Sequence, residues 1–228
     1  MSTGHKDLNA FSRREFLKAS GLSAGGLIIG VSFPLGVLGS AQDNGFEPNA
    51  FVYMAPNGDT TIYCGRCEMG QGISTALPAA VADELEADWS RVTVLQGDAN
   101  QKYGPQATGG SRSINEMLEP MRKAGAAGKE MLVAAAAQRW SLPVESCYAK
   151  SHEVFNRTDD RSLPFGDLVK LAADIPVPEA PVLKTRDQFR LIGKPVKRHD
   201  QRDMVLGERV YGTDKKLPGM KYAAIKHV

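Results

Sequence analysis

The chain has 228 residues, 42% hydrophobic, 24% charged and 7% aromatic, with 23 Gly and 13 Pro, a composition that argues against a collagen, a disordered tail or a polytopic membrane protein. Its 28 Lys and Arg against 26 Asp and Glu leave a formal charge of +2; residues 1–42 hold four of those bases and two of the acids, so the remainder balances at 24 against 24. A neutral body without a basic run carries no electrostatic footprint for nucleic acid, and three cysteines (Cys64, Cys67, Cys147) with no His pair beside them support neither a disulfide scaffold nor a zinc site.

Residues 1–42 read as a twin-arginine signal. Ser12-Arg13-Arg14-Glu15-Phe16-Leu17-Lys18 precedes an uncharged stretch from Ala19 to Gln42 that closes on Gly39-Ser40-Ala41, the layout of an export leader with a small-residue cleavage site. A retained anchor is the alternative, since about 20 apolar residues span a bilayer, but this stretch carries six Gly and Pro34 and is only mildly hydrophobic. The expectation is a periplasmic protein exported by the twin-arginine route, attached to the inner membrane if the leader is kept. That route carries cargo already folded, which suits a protein that takes up a bulky cofactor in the cytoplasm.

From residue 43 to 176 the pattern is that of one domain. Residues 51–54 and 60–63 flank Pro56-Asn57-Gly58-Asp59 and predict a hairpin. Ile73, Leu77, Val81 and Leu85 recur every four residues with Ala76 and Ala80 beside them, while Asp83, Glu86 and Asp88 lie off that face, which predicts a helix over 73–88. A short β-branched strand follows at 92–95, then a polar, Gly-rich loop over 97–110. Ser113 and Glu116 have the spacing of a capping box, and Ile114, Met117, Leu118, Met121, Met131, Leu132, Ala135 and Ala136 extend an apolar stripe to about Arg139. Pro120 is expected to kink or restart this helix, and Gly125 and Gly128 give it a small-residue face for close packing. Weaker signals beyond Pro143 indicate short strands near 147–148 and 154–155 and a helix near 165–172. Pro176, Pro178 and Pro181 then open an extended linker over 177–190, and residues 191–228 read as a separate, Gly/Pro-punctuated piece with strand-like runs at 209–211 and 222–225. The fold class expected is α+β, a mixed sheet with packed helices.

Two glycine-rich loops each precede a helix: Glu68-Met69-Gly70-Gln71-Gly72 and Thr108-Gly109-Gly110-Ser111-Arg112. Free N–H groups at a helix N-terminus favour anions, and glycines admit a phosphate or a flat polar ring without a Cβ in the way. Tight turns before helices would use the same residues. The first loop lacks the third glycine of a dinucleotide fingerprint and has Gln71 where a P-loop needs Lys, so NAD and ATP are disfavoured. Cys64 and Cys67 are either a redox pair or packing thiols, and Arg112 is a candidate partner for a phosphate. His152 and His199 lack ligand spacing, and Trp89 and Trp140 read as packing residues.

These motifs resemble the molybdenum-binding large subunits of the xanthine oxidase family, in the branch of isoquinoline 1-oxidoreductase and the membrane-bound aldehyde dehydrogenases. The resemblance runs through the Ser12–Lys18 leader, Pro48-Asn49-Ala50-Phe51-Val52, the two glycine loops, Arg122-Lys123-Ala124-Gly125-Ala126-Ala127 and Leu191-Ile192-Gly193-Lys194-Pro195. It implies a molybdopterin cofactor, as such or in a cytosine dinucleotide form, with Gln71 as a polar contact and Gly70 and Gly72 admitting close approach. Gly109, Gly110 and Ser111 would meet the pterin or its phosphate-bearing tail. It further implies an iron–sulfur small subunit as electron acceptor, a cytochrome c subunit beyond it in some members, and the remaining carboxyl-terminal part of the large subunit as partners. Residues 191–228 resemble the opening of the family's hammerhead α/β domain through Gly207-Glu208-Arg209-Val210-Tyr211-Gly212-Thr213-Asp214 and Leu217-Pro218-Gly219-Met220. The family's general-base glutamate belongs to a later segment, so no catalytic residue is assigned and the chain is expected to be the truncated opening of an enzyme that oxidises aldehydes or hydroxylates N-heteroaromatic rings with water as oxygen source. The competing reading is a non-catalytic fragment or periplasmic binding module that keeps the fold of residues 45–175 without molybdenum.

Overall fold

In the computed structural model, which describes residues 27–31, 49–159 and 161–226, the first sheet runs in the order β1 (Leu27–Val31), β2 (Asn49–Met54), β3 (Thr60–Cys64), β4 (Val92–Gln96). β1 falls within the expected leader; the rest of residues 1–42 lies outside the described residues. The β2–β3 hairpin closes with the Gly58 amide donating to the Ala55 carbonyl (2.8 Å) and the Ala55 amide to Asp59 (2.9 Å), as the Pro-Asn-Gly-Asp turn chemistry predicts. Along β3, Thr60, Ile62 and Cys64 are buried while Thr61 and Tyr63 are only partly so, the period of two that puts one face of a sheet on a core. β3 and β4 are parallel, so the chain between them crosses over through helix α1 (Ile73–Leu85), as parallel pairing requires. The sheet is therefore mixed, as the α+β reading expects.

Helix α1 stops three residues short of the expected end. Glu86 adopts a left-handed conformation and caps it (φ 61°); Asp88 then accepts from the Ser90 amide (2.9 Å) and starts a separate turn at Trp89–Arg91. Periodicity does not register such a cap, because Glu86 and Asp88 keep helical spacing while their backbone leaves the helix.

Helix α2 (Arg112–Trp140) corrects two further expectations. Its N-cap is Ser111, in the left-handed region without a side-chain cap bond, so Ser113 is not the cap of a capping box; Glu116 is instead drawn to Arg66 and Arg112. The helix also runs on through Pro120 without restarting there. A proline inside a helix costs about 3 kcal/mol, but Met117 and Met121 on either side are each 1% exposed and Ala124 is fully buried; burying large side chains at roughly 1.5–3 kcal/mol each offsets the lost amide bond.

The two helices pack along each other, and Gly125 is the point of closest approach. A Cβ there would lie 2.3 Å from the Val81 carbonyl oxygen and 2.9 Å from the Glu84 Cβ. Phe51, Val52, Met54, Ile62, Leu77, Val81, Leu85, Met117, Met121 and Leu132 fill the space between helices and sheet.

Beyond α2, strands β5 (Cys147–Lys150), β6 (Glu153–Asn156) and β7 (Ser162–Pro164) form an antiparallel sheet that leads into helix α3 (Phe165–Ala172). The β5–β6 turn is Ser151-His152, both at positive φ, as a two-residue hairpin of the primed type demands. β7 is too short and polar to show a period.

The segment expected as an extended linker is anchored. Asp83, expected off the apolar face of α1, and its neighbour Glu84 are both fully buried beneath it. Asp83 accepts from Lys184 Nζ (2.8 Å) and from the amides of Arg190 (3.0 Å), Leu191 (2.9 Å) and Ile192 (2.9 Å). Burial works against the Asp83 charge but these bonds outweigh it, and its carboxyl is held below the usual range. Glu84 binds Arg122 Nε (2.7 Å) and the Lys184 amide (3.0 Å). Breaking one partner of such a buried set typically costs about 3–5 kcal/mol, so the set specifies where the connector lies.

The chain divides into compact units at Val196 and Lys197. In the second unit, helix α4 (Gln201–Leu206) ends at Gly207 in the left-handed region, and Asp200 binds Arg198 (2.9 and 3.0 Å) and Arg209 (2.7 Å). Residues 209–211 and 222–225, expected as strand-like, form no strand among the described residues of this unit. Extended residues become a strand only when a neighbour accepts their backbone bonds, and Tyr222 and Ile225 are 75% and 88% exposed.

Candidate functional site

The two glycine loops are joined. The first leaves β3 at Cys64 and enters α1; the second runs from β4 into α2. The Cys67 amide donates to Thr108 Oγ1 (2.9 Å). Arg66, fully buried, reaches across with its guanidinium to the Ala107 carbonyl and to the Glu116 carboxylate in the first turns of α2. Arg112 also contacts Glu116 (3.4 Å) from the exposed side, so the arginine expected to await a phosphate already has a carboxylate partner. Sequence reading singled out the cysteines on either side of Arg66 and passed over the arginine itself; a cation directly after a buried strand was the available signal, because a charge is rarely buried without partners.

Within the first loop the acceptors come from its own side chains. Glu68 Oε1 takes the amides of Gly70 (2.7 Å) and Gly72 (2.9 Å), and Oε2 takes the amide (3.0 Å) and hydroxyl (2.9 Å) of Ser74. Burial raises the Glu68 carboxyl, but the bonds from Gly72, Ser74 and Gly70 prevail and hold it at about 2. The Gln71 carboxamide accepts from the Met69 amide (2.6 Å) and donates to the Cys67 carbonyl (3.1 Å). The N–H groups expected to lie free for an anion are thus occupied, by a carboxylate from four residues upstream of the helix N-cap. Gly70 and Gly72 sit at φ 102° and 83°, which a side chain rarely tolerates.

The second loop differs. Gly109, Gly110 and Ser111 are exposed, and the N-terminus of the long helix α2 carries no side-chain cap. Cys64 is a buried thiol whose burial pushes it up to about 11, while Cys67 is exposed, and both are free; the packing alternative holds for Cys64. His152 is buried, accepting from the Asp88 amide at Nδ1 (2.8 Å) and meeting the Gly58 carbonyl at Nε2 (2.8 Å).

Two observations bear on whether these residues suit a flat, polar, phosphate-bearing group. A Cβ added at Gly70, Gly72 or Gly109 would meet nothing within 4 Å, so open space lies beside three of the loop glycines. Arg66 Nε is a buried nitrogen without an acceptor, a donor left over where the loops meet. Among the described residues no cluster of three His, Cys, Asp or Glu could hold a metal ion, and no helix is long and apolar enough to cross a membrane. A cavity of about 870 Å³ lies elsewhere, between α2, β5 and the connector, and none of the residues lining it belongs to either loop.

Residues 5–212 match the molybdopterin cofactor-binding domain family. The isoquinoline 1-oxidoreductase subunit beta of Brevundimonas diminuta is 33% identical over 94% of this chain and 33% of its own length. The membrane-bound aldehyde dehydrogenase [pyrroloquinoline-quinone] of Gluconacetobacter polyoxogenes is 34% identical over 98% of this chain and 30% of its own. The chain thus spans about a third of the length of these relatives. Quinoline 2-oxidoreductase from Pseudomonas putida 86 superposes with a TM-score of 0.44 at 22% identity, over 52% of this chain and 15% of that one.

Proposed function

The chain belongs to the molybdopterin cofactor-binding domain family of xanthine oxidase type, and from that premise we propose that its two joined glycine loops form one wall of the molybdopterin site in an oxidoreductase large subunit. The observation that carries this is the direct tie between the loops, Cys67 to Thr108 and Arg66 to Ala107, beside glycines with open space around them.

The loops take different parts of the cofactor. Gln71 keeps one amide hydrogen and one carbonyl lone pair beyond its two bonds within the loop, enough for a neutral polar contact. Gly109, Gly110 and Ser111, at an uncapped helix N-terminus, suit the phosphate-bearing tail, and Arg66 Nε supplies a donor at the junction. When bound, the cofactor supplies two-electron oxidation of an aldehyde or an N-heteroaromatic carbon with oxygen from water; the chain positions it and tunes its surroundings. The finer reading includes a cytosine dinucleotide form of the cofactor, an iron–sulfur small subunit, a cytochrome c subunit and further large-subunit polypeptide as partners, and export to the periplasm by the twin-arginine route.

Molybdenum analysis of the chain purified with its partner chains tests this. Metal is expected to co-purify and to fall at least about tenfold in Gln71→Ala, the loss of one good contact to a polar ligand. No molybdenum in the wild-type complex would instead favour a binding module without the metal.

A further inference from the structure

We infer that Glu68 is the resident anion of the first loop, a positioning residue that holds the loop in its cofactor-ready shape and denies its N–H groups to phosphate. The inference rests on the cofactor reading above and assigns the two loops their separate ligands.

Four donors converge on this one carboxylate: the amides of Gly70, Gly72 and Ser74 and the Ser74 hydroxyl, all at 2.7–3.0 Å. Gly72 is the N-cap of α1 and offers no side chain to cap with, so the first-turn amides would otherwise need water or a ligand. The carboxylate meets that need from within the chain. It does so by fixing Gly70 and Gly72 in positive-φ conformations that a free loop visits among many others, and these two glycines flank Gln71. The ordering cost of presenting Gln71 is therefore met on folding rather than on cofactor binding. A phosphate brought to the same amides would face a fixed negative charge that stays ionised at any pH above about 2. At the second loop the N-cap Ser111 makes no side-chain cap bond of its own, and the Arg112 amide donates to the Gly109 carbonyl rather than to a carboxylate.

Amide hydrogen exchange on the full chain with its partners reads this directly. In Glu68→Ala and Glu68→Gln, exchange at Gly70, Gly72 and Ser74 is expected to quicken by roughly ten- to hundredfold, the range for hydrogen bonds to a charged acceptor, while Val81 and Leu85 inside α1 keep wild-type rates and report that the fold is intact. Acetate added to Glu68→Ala is expected to restore protection at the three amides and part of the molybdenum content, a rescue that general destabilisation would not allow. Inorganic phosphate is expected to change nothing at these amides in the wild type. Wild-type exchange rates in Glu68→Ala, no effect of acetate, or phosphate-dependent protection in the wild type would each overturn the inference. Molybdenum missing from the wild-type complex would sink the cofactor reading alone, since the exchange pattern is read without it.

Discussion

His152 shows how a single side chain decides more than its neighbours in sequence suggest. It is 2% exposed, sits at φ 74° in the β5–β6 turn, and links that turn to both Asp88 and the β2–β3 hairpin at Gly58, with its ring 4.9 Å from that of Phe165. An acceptor at Nδ1 and a donor at Nε2 describe the neutral ring. Burial pushes its pKa below 6.5, only partly opposed by the bond to Gly58. The unfolded chain therefore binds a proton that the folded chain resists, and the stability from the neutral ring is complete above pH 6.5 and lost as pH falls from 6.5 toward the lowered folded value. Thermal unfolding between pH 8 and 5 is expected to fall more steeply in the wild type than in His152→Gln; parallel curves would show that the ring does not titrate with folding. A lone histidine with no spacing to other ligands offered no sign of this in the sequence, because its partners are a backbone amide and a carbonyl, which every residue has.

The elements themselves were largely legible where an apolar period of two or about four persists. α1, α2, α3, the first hairpin and β4 lie where side-chain spacing puts them, since burying one face of a helix or strand is a local pattern with a large free-energy return. What spacing missed were events on the backbone: the left-handed cap at Glu86, the cap at Ser111 in place of Ser113, and β7. Gly125 is the element-scale feature that was anticipated, a glycine for close helix packing, and the structure gives it a consequence. Alanine would gain about 1 kcal/mol of helix propensity, but its Cβ would stand 2.3 Å from the Val81 carbonyl oxygen, a backbone atom that cannot rotate away. Overpacking of this kind costs typically about 1–3 kcal/mol, and at such a distance the upper part of that range applies. Gly125→Ala is expected to lower the denaturant midpoint with an unchanged slope; a stabilised variant would mean that α1 and α2 separate freely.

Across the whole molecule, stability is unevenly distributed. Residues 49–196 contain the buried core and the ion pairs around Asp83 and Glu84, whereas from Gln201 to Lys226 nearly every residue is exposed, Val205, Leu217 and Ile225 among them. Few buried apolar contacts mean low-energy local opening. Limited trypsin digestion is therefore expected to cut first at Arg202, Lys215, Lys216 or Lys221 and to leave the first unit intact; early cleavage inside residues 112–140 would contradict this distribution.

The presence of two glycine loops, each feeding a helix, and the kinship they carry could be read from residue order alone, because motif spacing and apolar periodicity are properties of neighbours along the chain. That the loops touch, that Arg66 bridges them, that Glu68 fills the seat meant for an anion, and that acids on the polar side of α1 are buried under residues 184–192 could not. Those facts depend on partners 2 to 109 residues apart, and a carboxylate or guanidinium finds its partners only once folding has set the backbone around it.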